Sequence, residues 1–115
     1  MNKKILGMGN AVLDIVSSVS DDFLARANLT KGAMTLVDQN ESDKILKEIN
    51  PIKKDSGGSV ANTIVGISLL GLNSFFCGKV RDDKLGDEFI SDMEKTKTKF
   101  LCKQSTQGLP TARCI

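Results

Sequence analysis

The pattern of apolar and polar positions predicts a chain in which strands and helices alternate. Short apolar or alternating runs typical of strands occur at 5–9, 12–19, 33–37, 74–80, 100–102 and 111–115. Polar starting residues followed by helical periodicity predict helices from Ser20, from Asn40 and from Asp82 to Lys97. A fourth helix follows Ser59. It is apolar around most of its circumference, so we expect it to be buried on several sides.

This order of elements predicts an α/β fold that contains parallel strands. The strand at 74–80 should be central, because its start is apolar on both faces. The segments 12–19, 33–37, 100–104 and 111–115 have no helices of their own to cover them, and we expect them to form an accessory sheet. Residues 55–59 are rich in Gly, Ser and Asp and are expected to form a loop.

The last residues bear on how much of a domain is present. Ile115 lies within an apolar extended run without a terminating turn, which would leave the pairing groups of that strand unsatisfied. We therefore expect the chain to be the N-terminal part of a longer protein. A complete small α/β domain is the alternative.

Composition excludes several classes of function. The 115 residues include 16 basic and 14 acidic side chains, a balance that argues against binding to nucleic acid or an anionic membrane. Histidine is absent, which excludes Ser-His-Asp and Cys-His mechanisms and His-ligated zinc. No apolar run reaches the length of a membrane span, and no adequate signal-peptide core follows the first residues. We therefore expect a cytoplasmic protein.

The three cysteines, Cys77, Cys102 and Cys114, have neither metal-ligand nor C-x-x-C spacing. They are expected to be reduced thiols that serve as small apolar residues.

Gly7-x-Gly9 follows a predicted strand, but it does not complete a dinucleotide-binding motif. The third glycine of that motif would fall at Val12, and no helix follows directly. The phosphate-binding pattern G-x-x-x-x-G-K-[ST] does not occur either.

Gly57 and Gly58 precede the most apolar helix and could let a ligand approach the main chain closely. The first amides of that helix could then donate to ligand oxygens, and Asn62, one turn further on, offers both a donor and an acceptor. A hydroxyl needs both kinds of partner, so this segment suits a diol. The alternative, which the local sequence by itself favours, is a glycine loop with an Asn near the helix start and no ligand.

Asn10 and Asp14 follow the first strand, at the edge where ligands bind in open α/β sheets. A carboxylate there can accept hydrogen bonds from two sugar hydroxyls. The alternative is a turn at Asn10, with Asp14 capping or facing solvent.

Taken together, these positions resemble the first signature of the ribokinase-like (PfkB-type) carbohydrate and nucleoside kinases, and the resemblance covers nearly all of the chain. It rests on the joint spacing of Gly57-Gly58, Asn62, Leu70-Gly71, Gly78-Lys79-Val80 and Asp82-Asp83-x-x-Gly86, supported by Gly9-Asn10, Asp14 and Lys31-Gly32. The spacing of four from Asn10 to Asp14 is similar to the adenosine-kinase-like branch. Departures from the family pattern are Arg81 in place of a glycine, Ile64 in place of a small residue, and Thr111-Ala112 in place of Thr-Gly.

The resemblance implies a three-layer α/β/α sandwich with a small β-sheet lid, truncated at the C-terminus. Residues 1–115 would be its N-terminal part. The core strand would lie at about 4–10, the lid segments at about 12–37 and 99–115, and the core α/β part at about 40–98. Such lids close over the sugar and often mediate homodimer contacts.

The resemblance also implies roles for individual residues. Asp14 would hold sugar hydroxyls, and Val12 would give an apolar contact to a base or aglycone. The full set of predicted substrate-binding residues is Asn10, Val12, Asp14, Gly57, Gly58, Ser59 and Asn62.

The implied activity is transfer of the γ-phosphate of ATP to a hydroxymethyl group of a sugar or nucleoside. ATP and Mg²⁺ would bind mainly to the C-terminal portion, which would also hold the catalytic base, so the chain alone is expected to be inactive. A module that binds a sugar or nucleoside, or acts in assembly without catalysis, is the alternative if the chain ends at residue 115. The sequence leaves open which sugar or nucleoside is bound.

Overall fold

The computed structural model describes residues 3–115 and divides into two units, one comprising the residues up to Ile15 together with Lys54–Ile115 and the other Val16–Lys53. The strands are β1 (Lys4–Met8), β2 (Val12–Ser17), β3 (Pro51–Gly57), β4 (Asn73–Cys77), β5 (Lys99–Phe100) and β6 (Ala112–Cys114). The helices are α1 (Asp21–Arg26), α2 (Gln39–Glu48), α3 (Ser59–Leu69) and α4 (Lys84–Lys95). Within residues 3–115, no helix is long and apolar enough to cross a membrane.

The first sheet has the order β1-β4-β5, and all of its strands are parallel. β4 is therefore central in this sheet, as predicted. α3 packs on β1 and β4, and α4 packs on β5. The rings of Phe76, Phe89 and Phe100 meet between the sheet and α4, with centroids 5.8 to 6.1 Å apart. Phe76, Phe89 and Met93 are fully buried and form the centre of this core.

The second sheet has the order β3-β2-β6. β2 and β6 are parallel, with Val12 opposite Ala112 and Asp14 opposite Cys114. The predicted strands at 12–19 and 111–115 are thus confirmed as members of an accessory sheet. The segment at 100–104 was wrongly placed there, because β5 pairs with β4 of the first sheet.

The predicted loop at 55–59 is also wrong, since β3 runs from Pro51 to Gly57. The strand carries almost no apolar pattern, and polar contacts with α4 hold it instead. Lys54 Nζ donates to Glu88 Oε1 at 3.2 Å, and the Ser56 N–H donates to Asp92 Oδ2 at 2.7 Å. A strand stabilised in this way leaves no periodic signal in its sequence.

In the unit Val16–Lys53, both helices begin at side-chain caps. Ser20 Oγ accepts the Phe23 N–H, as expected for a cap at that position. Asp38 and Glu41 form a reciprocal capping box, so α2 begins at Gln39. The predicted strand at 33–37 does not form. No strand within residues 3–115 pairs with this segment, and Met34 and Leu36 are more than 90% exposed.

α3 is less enclosed than its composition predicted. Ala61, Ile64 and Ser68 are buried, whereas Leu69 and Leu70 are 70% and 82% exposed. As expected, Gly71 follows the end of the helix, and its φ of 87° is the left-handed conformation that glycine adopts after a helix C-terminus.

Asp83 ties the start of α4 to the residue that precedes β6. Its carboxylate accepts the Gly86 N–H at 2.8 Å as a helix cap, the Thr111 N–H at 2.9 Å and the Thr111 hydroxyl at 2.7 Å. Burial opposes ionisation of Asp83. The hydrogen bonds from Thr111 and Gly86 and the nearby Arg81 charge outweigh this effect and lower the pKa of the carboxyl below 3.8.

We expect Asp83→Asn to lower the free energy of unfolding by about 2 kcal/mol at neutral pH, because its amide nitrogen cannot accept a hydrogen bond. The folded-state pKa is depressed, so the carboxylate stabilises the fold above the unfolded value of 3.8. That contribution is lost as the pH falls through the folded-state pKa. The cost of the substitution should therefore shrink in acid, which urea denaturation at a series of pH values would measure.

Asp82→Asn is the matched control, because it removes the charge of the exposed neighbouring carboxylate. It should change the free energy of unfolding by less than about 0.5 kcal/mol at every pH. A cost of Asp83→Asn that stayed constant as the pH fell would contradict the role given to the Asp83 carboxylate.

Candidate functional site

The candidate site lies at the carboxyl edge of the first sheet. β1 and β4 are parallel, so both end at this edge, and the Gly9 N–H donates to the Cys77 carbonyl at 3.1 Å just beyond the last paired residues. Asn10 follows at once and is exposed. In open α/β sheets this edge is where ligands bind.

Gly7 and Gly9 allow α3 to pack directly against β1. A Cβ on either glycine would lie 2.8 Å from a side-chain carbon of Val60, and one on Gly7 would also lie 2.7 Å from Ile64 Cδ1. The Gly-x-Gly pattern therefore serves helix packing, which agrees with its rejection as a dinucleotide motif. Ile64, a departure from the family pattern, is buried in the room that Gly7 leaves.

Gly58 is the N-cap residue of α3 and, as a glycine, provides no side-chain cap. Gly58 has φ 101° and ψ 147°, a conformation essentially restricted to glycine, and its carbonyl accepts the Asn62 N–H at 2.9 Å. A Cβ on Gly58 would lie 2.6 Å from the Asn10 carbonyl oxygen. The start of the helix, whose first amides have no acceptor within the helix, is therefore held against the edge of the sheet.

Asp14 projects from the second sheet toward the same glycine pair. On β2, Leu13 and Ile15 are buried, while Val12 and Asp14 share the opposite face and are half-buried. A Cβ on Gly57 would lie 2.5 Å from Asp14 Cγ, so the carboxylate lies directly against the glycine backbone. Among residues 3–115, the structure records no hydrogen bond or ion pair for this carboxylate.

The structure brings Asn10, Asp14, Gly57 and Gly58 together, and Val12 shares the face of Asp14. Ser59 and Asn62 lie on the first turn of α3 and are exposed. The binding roles of these residues remain predictions. In the part of the chain that is described, no group of three or more His, Cys, Asp or Glu comes together.

The sequence analysis did not predict where Asp55 lies. Alternation along β3 places Asp55 on the same face as Gly57, and therefore on the face toward which Asp14 points. The assignment of residues 55–59 to a loop concealed this, because alternation has meaning only within a strand.

Arg81 does not distort the turn after β4. Its φ is not positive, so the position does not require glycine. Its N–H donates to the Thr111 hydroxyl at 2.9 Å, and it forms a parallel bridge with Ser105. This departure from the family pattern thus joins the network that positions β6.

Gly58→Ala should lower the free energy of unfolding by about 3 kcal/mol, since it combines backbone strain with a clash at the Asn10 carbonyl. Gly66→Ala is the matched control, because Gly66 lies within α3 and a Cβ there would meet nothing within 4 Å. That change should be neutral or stabilise by about 0.5 to 1 kcal/mol. Equal effects in urea denaturation would contradict the geometry given for Gly58.

Comparison with known proteins agrees with the resemblance. The profile of the pfkB family carbohydrate kinases matches residues 28–115. The 5-dehydro-2-deoxygluconokinase of Bacillus thuringiensis (strain Al Hakam) is 45% identical over 47 residues, which are 41% of this chain and 14% of that protein.

Two solved structures show the same fold. The adenosine kinase of Sinorhizobium meliloti superposes with a TM-score of 0.77 and 34% identity, covering 98% of this chain and 35% of that one. The Schistosoma mansoni adenosine kinase in complex with adenosine and AMP gives a TM-score of 0.74 at 23% identity, covering 95% of this chain and 34% of that one.

The chain therefore spans about a third of the length of these solved kinases. The predicted ribokinase-like α/β fold is confirmed by the two superpositions. Because the family profile matches most of the sequence, the chain belongs to the pfkB family carbohydrate kinases.

Proposed function

We propose that the complete protein containing this chain is an ATP-dependent kinase that phosphorylates a hydroxymethyl group of a sugar or nucleoside. In this proposal, the present chain supplies the part that holds the acceptor. The observation that carries the proposal is the Asp14 carboxylate, which lies against Gly57 beside the uncapped start of α3. The family membership supplies the reaction type.

Each residue of the site has a role that its chemistry supports. Asp14 accepts hydrogen bonds from two neighbouring hydroxyls of the acceptor, since a carboxylate has two oxygens and can serve both. Gly57 and Gly58 let the sugar approach the backbone closely, because side chains there would occupy the space next to Asp14 and Asn10. The helix-start amides, of which Ser59 supplies the first, attract the electron-rich oxygens of the ligand.

Asn62, Asn10 and Val12 complete the binding surface. The exposed amide of Asn62 both donates and accepts, so it matches a hydroxyl in either role. Asn10 lies at the junction of β1 and Gly58 and closes the side of the site next to the sheet. Val12 adds an apolar contact on the face of Asp14, where the base or aglycone of a substrate would lie.

The phosphoryl donor in this proposal is ATP, which such kinases use together with Mg²⁺. The described residues do not form a cluster suited to a metal ion, so we assign none of them to Mg²⁺. We also assign the catalytic base and the ATP pocket to parts of the complete protein outside these 115 residues. The accessory sheet, which carries Asp14, would cover the acceptor and exclude water during transfer.

The relatives suggest which acceptors to test. Adenosine kinases and a 5-dehydro-2-deoxygluconokinase both resemble this chain, so the panel should contain adenosine, other nucleosides, simple sugars and keto-sugar acids. A coupled assay of ADP release by the complete protein would identify the substrate. Acceptor binding in calorimetry without any ATP turnover would instead support a non-catalytic binding module.

Asp14→Ala should lower kcat/KM by at least about 100-fold in the complete protein, because two charge-assisted hydrogen bonds to the acceptor are lost. The KM for ATP should change by less than about twofold, since the donor does not touch Asp14 in this proposal. Steady-state kinetics with each substrate varied in turn would measure both.

Glu94→Ala is the control, because it removes an exposed carboxylate on α4. It should leave both kinetic constants unchanged. A near-normal kcat/KM for Asp14→Ala, in a protein whose circular dichroism matches the wild type, would refute the role of Asp14.

A further inference from the structure

Two cysteine sulfurs meet next to the candidate site, although they are far apart in sequence. The Sγ atoms of Cys77 and Cys102 lie 2.7 Å apart, with a sequence separation of 25 residues. Both side chains are half-buried. Their spacing in the sequence gave no sign of this pair, because the contact depends on how β4 and β5 align.

The backbone holds the two sulfurs in place. Cys77 is the last residue of β4, and Cys102 follows β5 after a single intervening residue. The strands are parallel neighbours in which Phe76 pairs with Phe100, and the Leu101 N–H donates to the Phe76 carbonyl at 3.0 Å. The cysteines are thus brought together by the hydrogen-bonded ladder between β4 and β5.

We propose that Cys77 and Cys102 form a redox-sensitive site that a hydroperoxide oxidises to an intrachain disulfide. A thiolate of the pair attacks the terminal peroxide oxygen, the O–O bond breaks, and water or an alcohol leaves, giving a sulfenic acid. The second sulfur then attacks the sulfenic sulfur, the S–O bond breaks, and water leaves as the S–S bond forms. Two thiols lose two electrons and two protons, which the hydroperoxide takes up.

The local environment sets the conditions for this reaction. The hydrogen bond to Cys102, together with burial and the charge that Cys102 can carry, raises the pKa of the Cys77 thiol. Since the thiolate is the nucleophile, oxidation should be slow at neutral pH and faster in alkali. Once one sulfur is oxidised, its partner is already in contact, so the second step needs no rearrangement of the chain.

A disulfide here would act on the framework of the candidate site. The Cys77 carbonyl accepts the Gly9 N–H, and a Cβ on Gly78 would lie 2.7 Å from the Gly9 carbonyl oxygen. On the other side, Cys102 begins the connection that leads to β6, the neighbour of the Asp14 strand. The bond would therefore tie this connection to the end of β4 that supports Asn10. The chemistry of the thiol pair does not depend on the proposed kinase activity.

The test is a peptide map of the complete protein after treatment with hydrogen peroxide. Remaining thiols are blocked with iodoacetamide, and the protein is digested with trypsin without reductant. Cleavage after Lys54, Lys79, Lys99 and Lys103 places Cys77 in peptide 55–79 and Cys102 in peptide 100–103. We expect these two peptides to be recovered joined, with a mass lower by two hydrogen atoms than the sum of the two reduced peptides. They should separate after treatment with dithiothreitol.

Three variants and one denatured sample serve as controls. Cys77→Ser and Cys102→Ser should each abolish the joined peptide, and either one suffices if the other fails to fold. Cys114→Ser should leave its yield unchanged, because Cys114 is exposed and takes no part in the pair. Protein oxidised in urea should give a mixture of cysteine pairings, since the fold no longer selects one.

The proposal would be overturned by recovery of both peptides in alkylated form after peroxide treatment of the folded protein. It would equally be overturned if Cys77 or Cys102 were found only as sulfinic acid, or joined to Cys114 or another cysteine. A native sample that gave the same mixture as the urea sample would also count against it.

Discussion

The close packing of α3 on β1 is the constraint on which the candidate site depends. Gly7 and Gly9 lack the Cβ atoms that would meet Val60 and Ile64, so the helix lies directly on the strand. The start of the helix is thereby fixed at the carboxyl edge, next to Asn10. This helix start has no side-chain cap, and its position at this edge near Asp14 is the basis of the acceptor site that we propose.

The position of Asp14 at this edge depends on a series of contacts that hold the second sheet. β2 pairs with β6, and β6 follows Thr111, which the Asp83 carboxylate holds by two hydrogen bonds. Asp83 also caps α4, whose side chains Glu88 and Asp92 fix β3 and thus Gly57. One helix therefore positions both neighbours of β2, and with them the carboxylate and the glycine that it touches.

Periodic apolar elements could be predicted from the sequence, whereas elements held by polar contacts could not. β1, β4, α3 and α4 carry apolar residues at regular spacing and were found in nearly their true places. β3 is nearly devoid of such residues, and the Lys54–Glu88 ion pair and the hydrogen bond from Ser56 to Asp92 join it to α4. The opposite error occurred at 33–37, where a mostly apolar run predicted a strand, but no strand among residues 3–115 pairs with it.

The candidate site likewise has features that the sequence indicated and features that it did not. Its glycines and polar residues were selected because their joint spacing resembles a family pattern, and their binding roles stay predictions. The structure shows that Asn10 lies against Gly58 and Asp14 against Gly57. The packing of Gly57 on Asp14 could not be derived, since it depends on the register of strands that are distant in sequence.

The contact between Cys77 and Cys102 depends on register in the same way, and it lies at the same edge of the first sheet. The Cys77 carbonyl accepts the Gly9 N–H, so the backbone that supports Asn10 is joined directly to the backbone of the thiol pair. At this edge, the proposed covalent change at sulfur and the proposed placement of Asn10 beside the acceptor would act on the same backbone.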